Sequence, residues 1–520
     1  MNLQAAVLIA VFGLGALAGE APQGVAPAAL ASPVVDNVKD MTLKELAREL
    51  YSKDESRRRA VINQCVKINT TDSWKLVIEG LANDKGRPAD EAQLKLALLE
   101  DEKALKVLWG KDGLKSKDVL VRMRVAEMLG RREMGVDAEL LSKALGDKEP
   151  DVRRLLLWSV ERLAKGQHLQ GDVQRELFKS VEKLAKKDRD GAVRGAALLA
   201  FGAIATPEES MSLARVVAED KLAAARCGAA RFGQTLAKTD SVAALSLLGK
   251  LLADESSNVR RAAVDGMEAV ATKPGVGLMI ARLEVEERER VRWSLVDSLQ
   301  RLSGRKYRLD VRPWKLWHEK LAEDWKPEVK SGADHEADRG EATVAFAGMP
   351  ILSDRVCFLI DLSGSIWTKK ADGILPKDVV GGELQKALDS LPEGTLFNVI
   401  PYINDPVPWQ EELQKAKPKN IDAAKDFFTD CKARGAGNVY DAIQLALIDP
   451  EVDTIIILTD GAPSGGYRWN LDLMVQLLTE QNRYRAVTYD ALLVGASNFL
   501  TDKWQDLAKA TGGECTSIEL

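Results

Sequence analysis

The chain has 520 residues, 46% of them hydrophobic and 29% charged, with a formal net charge of −5. That length exceeds one ordinary core, and that composition excludes a disordered chain. Positions 1–330 carry 56 Lys+Arg against 49 Asp+Glu, and positions 331–520 carry 17 against 29. So slight a basic surplus over so long a front excludes a nucleic-acid footprint, while the acidic back marks a second unit with a different surface.

The N-terminus reads MNLQAAVLIAVFGLGALAGEAP. Ala5 to Ala18 is an apolar run of signal-peptide length, shorter than the ~20 residues of a membrane span. Ala16-Leu17-Ala18 supplies a small-x-small cleavage pattern, although no Lys or Arg precedes the run. Residues 1–18 are therefore expected to direct export to the periplasm, cell surface or medium, leaving no transmembrane helix in the mature chain. An Ala/Pro-rich lead follows over residues 19–40.

Residues 41–325 carry Leu, Ala and Val at three- and four-residue intervals, the pattern of amphipathic helices. One phrase recurs near helix starts: DVLVRMRVAEML, EPDVRRLLLWSV, DGAVRGAALLAF, SSNVRRAAVDGM and RERVRWSLVDSL, with a degenerate AAARCGAARF between the third and fourth. Its marker arginines are Arg122, Arg153, Arg194, Arg226, Arg260 and Arg292. They recur about every 30 to 40 residues, the period of a two-helix repeat. These phrases resemble HEAT repeats and imply an all-α superhelical solenoid, with Arg57 marking a divergent earlier copy. Repeated arginines suit either an anionic polymer or a ladder to acids of adjacent units. The thin net charge favours the ladder. Trp314, Trp317 and Trp325 are expected to cap the last helix pair, and residues 326–342 form a charged linker.

From residue 343 to 520 the rhythm becomes strand, helix, strand. Strands are predicted at CFLI (357–360), 396–403, 454–459, 488–494 and 516–518, with helices at about 378–391, 421–433, 438–448, 470–482 and 500–511. Such alternation predicts an α/β doubly wound, Rossmann-like domain with a mainly parallel sheet. Functional groups in these sheets collect at the carboxyl ends of strands. Here the first strand ends in Asp361-Leu-Ser363-Gly-Ser365, and the strand 454–459 ends in Asp460-Gly. Two carboxylates and two hydroxyls are hard oxygen donors suited to Mg2+ or Mn2+; turn and cap chemistry is the competing use of the same residues.

The combination resembles the von Willebrand factor type A (VWA) domain and its metal-ion-dependent adhesion site. The resemblance implies a cation held by Asp361, Ser363, Ser365 and Asp460, completed by an acidic side chain of a protein partner. The segment Gly435-Ala-Gly-Asn-Val-Tyr-Asp-Ala442 departs from the family's usual sequence, because the threonine ligand falls on Gly437. Asn438 and Asp441 are then candidates for the metal or its surroundings, and Arg468 and Trp469 for a partner-binding rim. The five cysteines lack zinc-type spacing, and the three histidines are far apart. No phosphate loop or nucleophile motif occurs, so a non-enzymatic role is expected. The expected function is that of an exported adhesion-type binding protein whose solenoid supplies a second interaction surface; the rival is an assembly subunit serving an AAA+ ATPase. Opposite net charges of the two halves also fit docking of the solenoid on its own acidic domain. Oligomeric state is not legible.

Overall fold

A computed structural model of the protein describes residues 38–82, 87–327, 344–367, 373, 375–432 and 434–518, the side chains of Ser365 and Ile518 excepted. The expected signal segment 1–18 lies outside the described residues, as do nearly all of the lead and of the linker. Among the described residues no helix is long and apolar enough to cross a membrane.

The front of the chain is helix-rich and layered. One layer consists of α1 (Val119–Leu129), α2 (Pro150–Lys165), α3 (Gly191–Ile204), α4 (Ala223–Leu236), α5 (Ser257–Val270) and α6 (Glu289–Ser303), each packed on the next. Shorter helices alternating with these, from Ala138–Ala144 to Val311–Glu319, lie behind them.

The recurring phrase has a local and a longer-range role. Its acid starts the helix: Asp118 and Asp190 accept amide N–H groups in the first turns of α1 and α3. Its arginine reaches forward. Arg122 pairs with Asp147 at 2.8 Å, Arg153 with Asp188 at 2.8 Å, Arg226 with Asp254 at 2.7 Å and Arg260 with Glu286 at 2.7 Å; Arg194 pairs with Asp220. Each of these acids also accepts the backbone N–H two residues on, so each of these five arginines fixes the turn leading into the next long helix. Arg292 breaks the series by pairing with Glu289 of its own helix at 3.0 Å. Arg57 pairs backward with Glu49 and does not join it. At the far end Trp314 is fully buried, and Trp314, Trp317 and Trp325 meet edge to face at 6.0 and 5.6 Å.

The C-terminal part is built on a mixed six-stranded sheet: β1 (Arg355–Asp361), β2 (Leu396–Tyr402), β3 (Gln414–Lys415), β4 (Thr454–Thr459), β5 (Thr488–Val494) and β6 (Cys515–Ile518), in the order β6-β5-β4-β1-β2-β3. All neighbours are parallel except β2 and β3. The two-residue β3 was absent from the predicted strands, as was the hairpin pairing Ala345–Phe346 with Met349–Pro350; two residues are too short to show a period. The period of two along β1 separates the faces. Val356, Phe358 and Ile360 pack under α7 (Pro376–Ser390) and α8 (Pro418–Asp430). Cys357 and Leu359 face the side that carries α9 (Val439–Ala446), α10 (Leu471–Asn482) and α11 (Asn498–Thr511).

That second side does not end in solvent. Its apolar cluster continues into the α1–α6 layer without a break. A Cβ on Gly195 would fall 2.9 Å from the Tyr484 ring, and one on Gly228 only 2.3 Å from the Cα of Gly195. The α3–α4 contact and the seat of Tyr484 therefore both require bare backbone. Charged residues of the layer reach across at intervals: Arg154 to Glu480, Glu161 to Arg483 at 2.8 Å, Arg261 to the Thr511 carbonyl at 3.2 Å and Arg290 to the Gly512 carbonyl at 2.7 Å. The helical layer expected to offer a partner surface is, in large part, covered by the chain's own C-terminal domain.

Candidate functional site

In the sheet order, β1 is followed by β2 on one side and later by β4 on the other, so the direction of winding reverses between β1 and β4. A crevice opens at the carboxyl ends of strands at such a reversal. Asp361 ends β1, and Asp460 follows directly on β4, whose Leu458 lies in register with Ile360. Asp361 is buried, 2% exposed, with one carboxylate oxygen accepting the Ser363 amide at 2.7 Å and the other the Thr459 hydroxyl at 3.1 Å. Burial pushes its carboxyl up to about 6, and the charge of Asp460 adds to the rise while the Ser363 amide opposes it. Asp460 is half-buried and accepts the Ala462 amide at 3.2 Å. Ser363 is buried beside Asp361, whereas Gly364 and Ala462 open the site to solvent. A short 3-10 turn over Gly364–Trp367 carries Ser365, whose side chain lies outside the described residues.

Gly437 stands against the same carboxylate. A Cβ placed there would lie 3.3 and 3.5 Å from the two Asp361 oxygens, a cradle in which a side chain would face the carboxylate. Asn438 does not fill it. Its amide nitrogen donates to the Asn404 carbonyl at 2.8 Å and to Asp441 at 2.7 Å, while its oxygen caps α9 by accepting the Asp441 amide. Asn438 and Asp441, candidates for the metal or its surroundings on sequence, thus spend the bonds described here on each other and on the loop. The reason is the capping position, where an Asn side chain satisfies otherwise orphaned helix N–H groups.

Arg468, expected at a partner-binding rim, is instead 0% exposed. Its guanidinium meets Asp90 at 2.9 Å and Gln93 at 2.8 Å and pairs with Glu127, all three from the helical front. Arg124 joins the cluster through Asp90 and through the Tyr467 carbonyl at 2.6 Å. Burial works against the charge of Asp90, and Arg468 and Arg124 overcome it, holding that carboxyl below its ordinary value. Trp469 is half-buried, its ring 5.1 Å from the Arg87 guanidinium and its amide donating to Asp90 at 2.9 Å. The loop after Asp460 turns inward because buried carboxylates of the other unit demand a cation. No local pattern shows a contact between residues more than 300 positions apart.

The sequence profile of the von Willebrand factor type A domain matches residues 354–516. This region is a VWA domain. Inter-alpha-trypsin inhibitor heavy chain H3 of Bos taurus is 32% identical over 131 residues, covering 23% of this chain and 14% of its own length. Heavy chain H4 of Homo sapiens is 31% identical over 150 residues, covering 26% and 16%. The chain thus spans about one-sixth or less of these relatives, and the likeness is confined to the VWA region. A von Willebrand factor type A structure from Catenulispora acidiphila aligns at 19% identity over 33% of this chain and 40% of its own, with a TM-score of 0.27, too low to build on.

The VWA residues present fit a divalent cation by the chemistry of their donors. Among the described residues no three His, Cys, Asp or Glu side chains form a metal-binding group. Asp361 and Asp460 are two carboxylates, and the remaining donors are hydroxyls, a set of hard oxygens. Sequence reasoning missed two residues here, Thr459 and Ser464. Thr459 holds Asp361 in place, and Ser464 donates its amide to the Gly437 carbonyl at 3.0 Å while its hydroxyl accepts the Gly437 amide at 2.7 Å.

Proposed function

We propose that this protein is an exported, non-catalytic binding protein whose VWA domain holds Mg2+ or Mn2+ and engages an acidic side chain of a partner protein. The convergence of Asp361, Ser363 and Asp460 at the reversal between β1 and β4 carries this reading, with Ser365 as a further ligand from the motif. Bound there, the cation supplies a Lewis-acid position for a carboxylate of the partner. Asp361 is held by Ser363 and Thr459, and so is positioned before any cation arrives. No histidine follows His335 in the sequence, and none of the groups at this site is set up as a general base beside a nucleophile. The forward-reaching arginines support a HEAT-type array in front of the domain. Its α1–α6 layer supports the VWA domain, which leaves the outer helices and the metal rim for partners.

Calorimetric titration of Mg2+ and Mn2+ into the full chain tests the proposal. Saturable one-to-one binding that Asp361→Ala abolishes is the expected result, together with protein capture that requires Mg2+ and fails for Asp361→Ala. A folded native chain that takes up no metal at about 10 mM refutes it.

A further inference from the structure

The position of Gly437 raises a chemical question: which group supplies the oxygen that a glycine cannot? The point where a Cβ at 437 would sit is 3.3 and 3.5 Å from the Asp361 oxygens and 3.6 Å from the Ser464 hydroxyl oxygen. Three oxygens on two separate segments thus border one small volume. Ser464 is held there by two reciprocal bonds with Gly437, its hydroxyl accepting the Gly437 amide at 2.7 Å and its own amide donating to the Gly437 carbonyl at 3.0 Å. A hydroxyl has two lone pairs, so accepting one amide leaves a pair for a cation.

The loop carrying Ser464 is fixed at both ends. Asp460 lies four residues before it, and the buried Arg468 lies four residues after it, in the ion cluster with Asp90 and Glu127. Between them Gly466, at φ 77°, packs so tightly on Asn438 that a Cβ there would stand 1.8 Å from the Asn438 oxygen. Such a loop presents Ser464 with little conformational freedom to lose on binding.

We propose that Ser464 supplies the hydroxyl donor that residue 437 lacks, so that a glycine at 437 and a serine at 464 together replace one side chain at the cation site. The glycine is then part of the arrangement: a larger residue at 437 enters the volume that the Ser464 hydroxyl borders. The inference rests on the reading of this site as a cation site and adds a ligand residue to it.

The test is calorimetric titration of Mg2+ and Mn2+ into the full chain in five forms: native, Asp361→Ala, Ser464→Ala, Gly437→Thr, and Ser464→Ala with Gly437→Thr. Melting of each form without metal is recorded alongside. Ser464→Ala is expected to weaken Mg2+ binding by at least about tenfold while its metal-free melting stays close to native. The double variant is expected to regain most of that loss, because a threonine hydroxyl at 437 returns an oxygen to the same volume. Gly437→Thr alone is expected not to tighten binding. Native-like affinity of Ser464→Ala overturns the inference and leaves the cation site standing. A weakened Ser464→Ala that threonine at 437 does not rescue also overturns it, because Ser464 then acts as loop support. Absence of binding by the native chain, or undiminished binding by Asp361→Ala, overturns the cation site itself and this inference with it.

Discussion

Two buried aspartates of the VWA domain show how surroundings decide what a carboxyl does. Asp361 sits at a strand end beside Asp460 and opens toward the crevice, where a cation can neutralise the pair. Asp453 precedes β4, accepts the Ser353 hydroxyl at 2.6 Å and the Thr454 hydroxyl at 2.9 Å, and is pushed up to about 7 by burial. Its folded pKa therefore lies above the unfolded value of about 3.9. Between those two values the folded protein keeps a proton that the unfolded chain has released, so Asp453 removes stability as the pH rises from about 4 to about 7. Asp453→Asn should abolish that slope. Urea unfolding should show the variant gaining on the native protein across this window, by on the order of 2–4 kcal/mol at its upper end. A constant difference at every pH would mean that Asp453 does not titrate there. At this scale the sequence showed residue types and spacing, enough to single out Asp361, Ser363 and Asp460. It did not show that Asn438 is spent as a cap or that Ser464 approaches Gly437, because both follow from where loops return in space.

The helical elements owe their order to a rule legible in one dimension. A marker arginine at regular intervals, with an acid about 25 to 35 residues on, is enough to tie each turn to the helix before it. The strength of each tie depends on burial, which the phrase does not encode. Arg226 is buried, bonds Asp254 through two nitrogens at 2.7 and 2.8 Å, and also donates to the Asp220 carbonyl at 2.7 Å. Arg226→Ala leaves that carboxylate and that carbonyl without their cation and should cost about 2–4 kcal/mol in chemical unfolding. Arg292, half-exposed and paired within one turn of its own helix, should cost less than about 1 kcal/mol when changed to Ala. Equal costs would show that neither the burial of the arginine nor its forward reach carries energetic weight. In the VWA domain the strands found by apolar runs lie within about two residues of their observed limits, since buried parallel strands are continuous in type. The two-residue pairs left no such trace.

At the scale of the whole molecule the two units share a core. The cluster of Arg468 with Asp90, Gln93 and Glu127 lies between them, fully enclosed. Removing the Arg468 guanidinium leaves the two buried carboxylates one partner each, Arg124 on Asp90 and Arg131 on Glu127. Arg468→Ala should therefore destabilise the protein by about 3–5 kcal/mol, measured as a drop in the denaturant midpoint. Arg468→Lys should recover less than half of this, since an ammonium has no planar fork to reach three partners at once. A native-like midpoint for Arg468→Ala would separate the VWA domain energetically from the helices. The sequence leaves open both a solenoid offering a second interaction surface and a solenoid docked on its own acidic domain. The shared core makes the helical front a rigid support for the VWA loops, and the loop bearing Asp460 and Ser464 is anchored in it.

By itself the sequence determined the class of each half, the strand ends at which Asp361 and Asp460 stand and the arginine series that orders the helices. These are consequences of periodicity and of short-range covalent order, which a linear reading preserves. Tertiary structure alone decided that Arg468 turns inward, that the α1–α6 layer is covered, and that Gly437 faces Ser464 as well as Asp361. Those outcomes depend on burial and on contacts between residues far apart in the chain. Whether a charge faces water or a buried counter-charge is fixed only when the two surfaces meet.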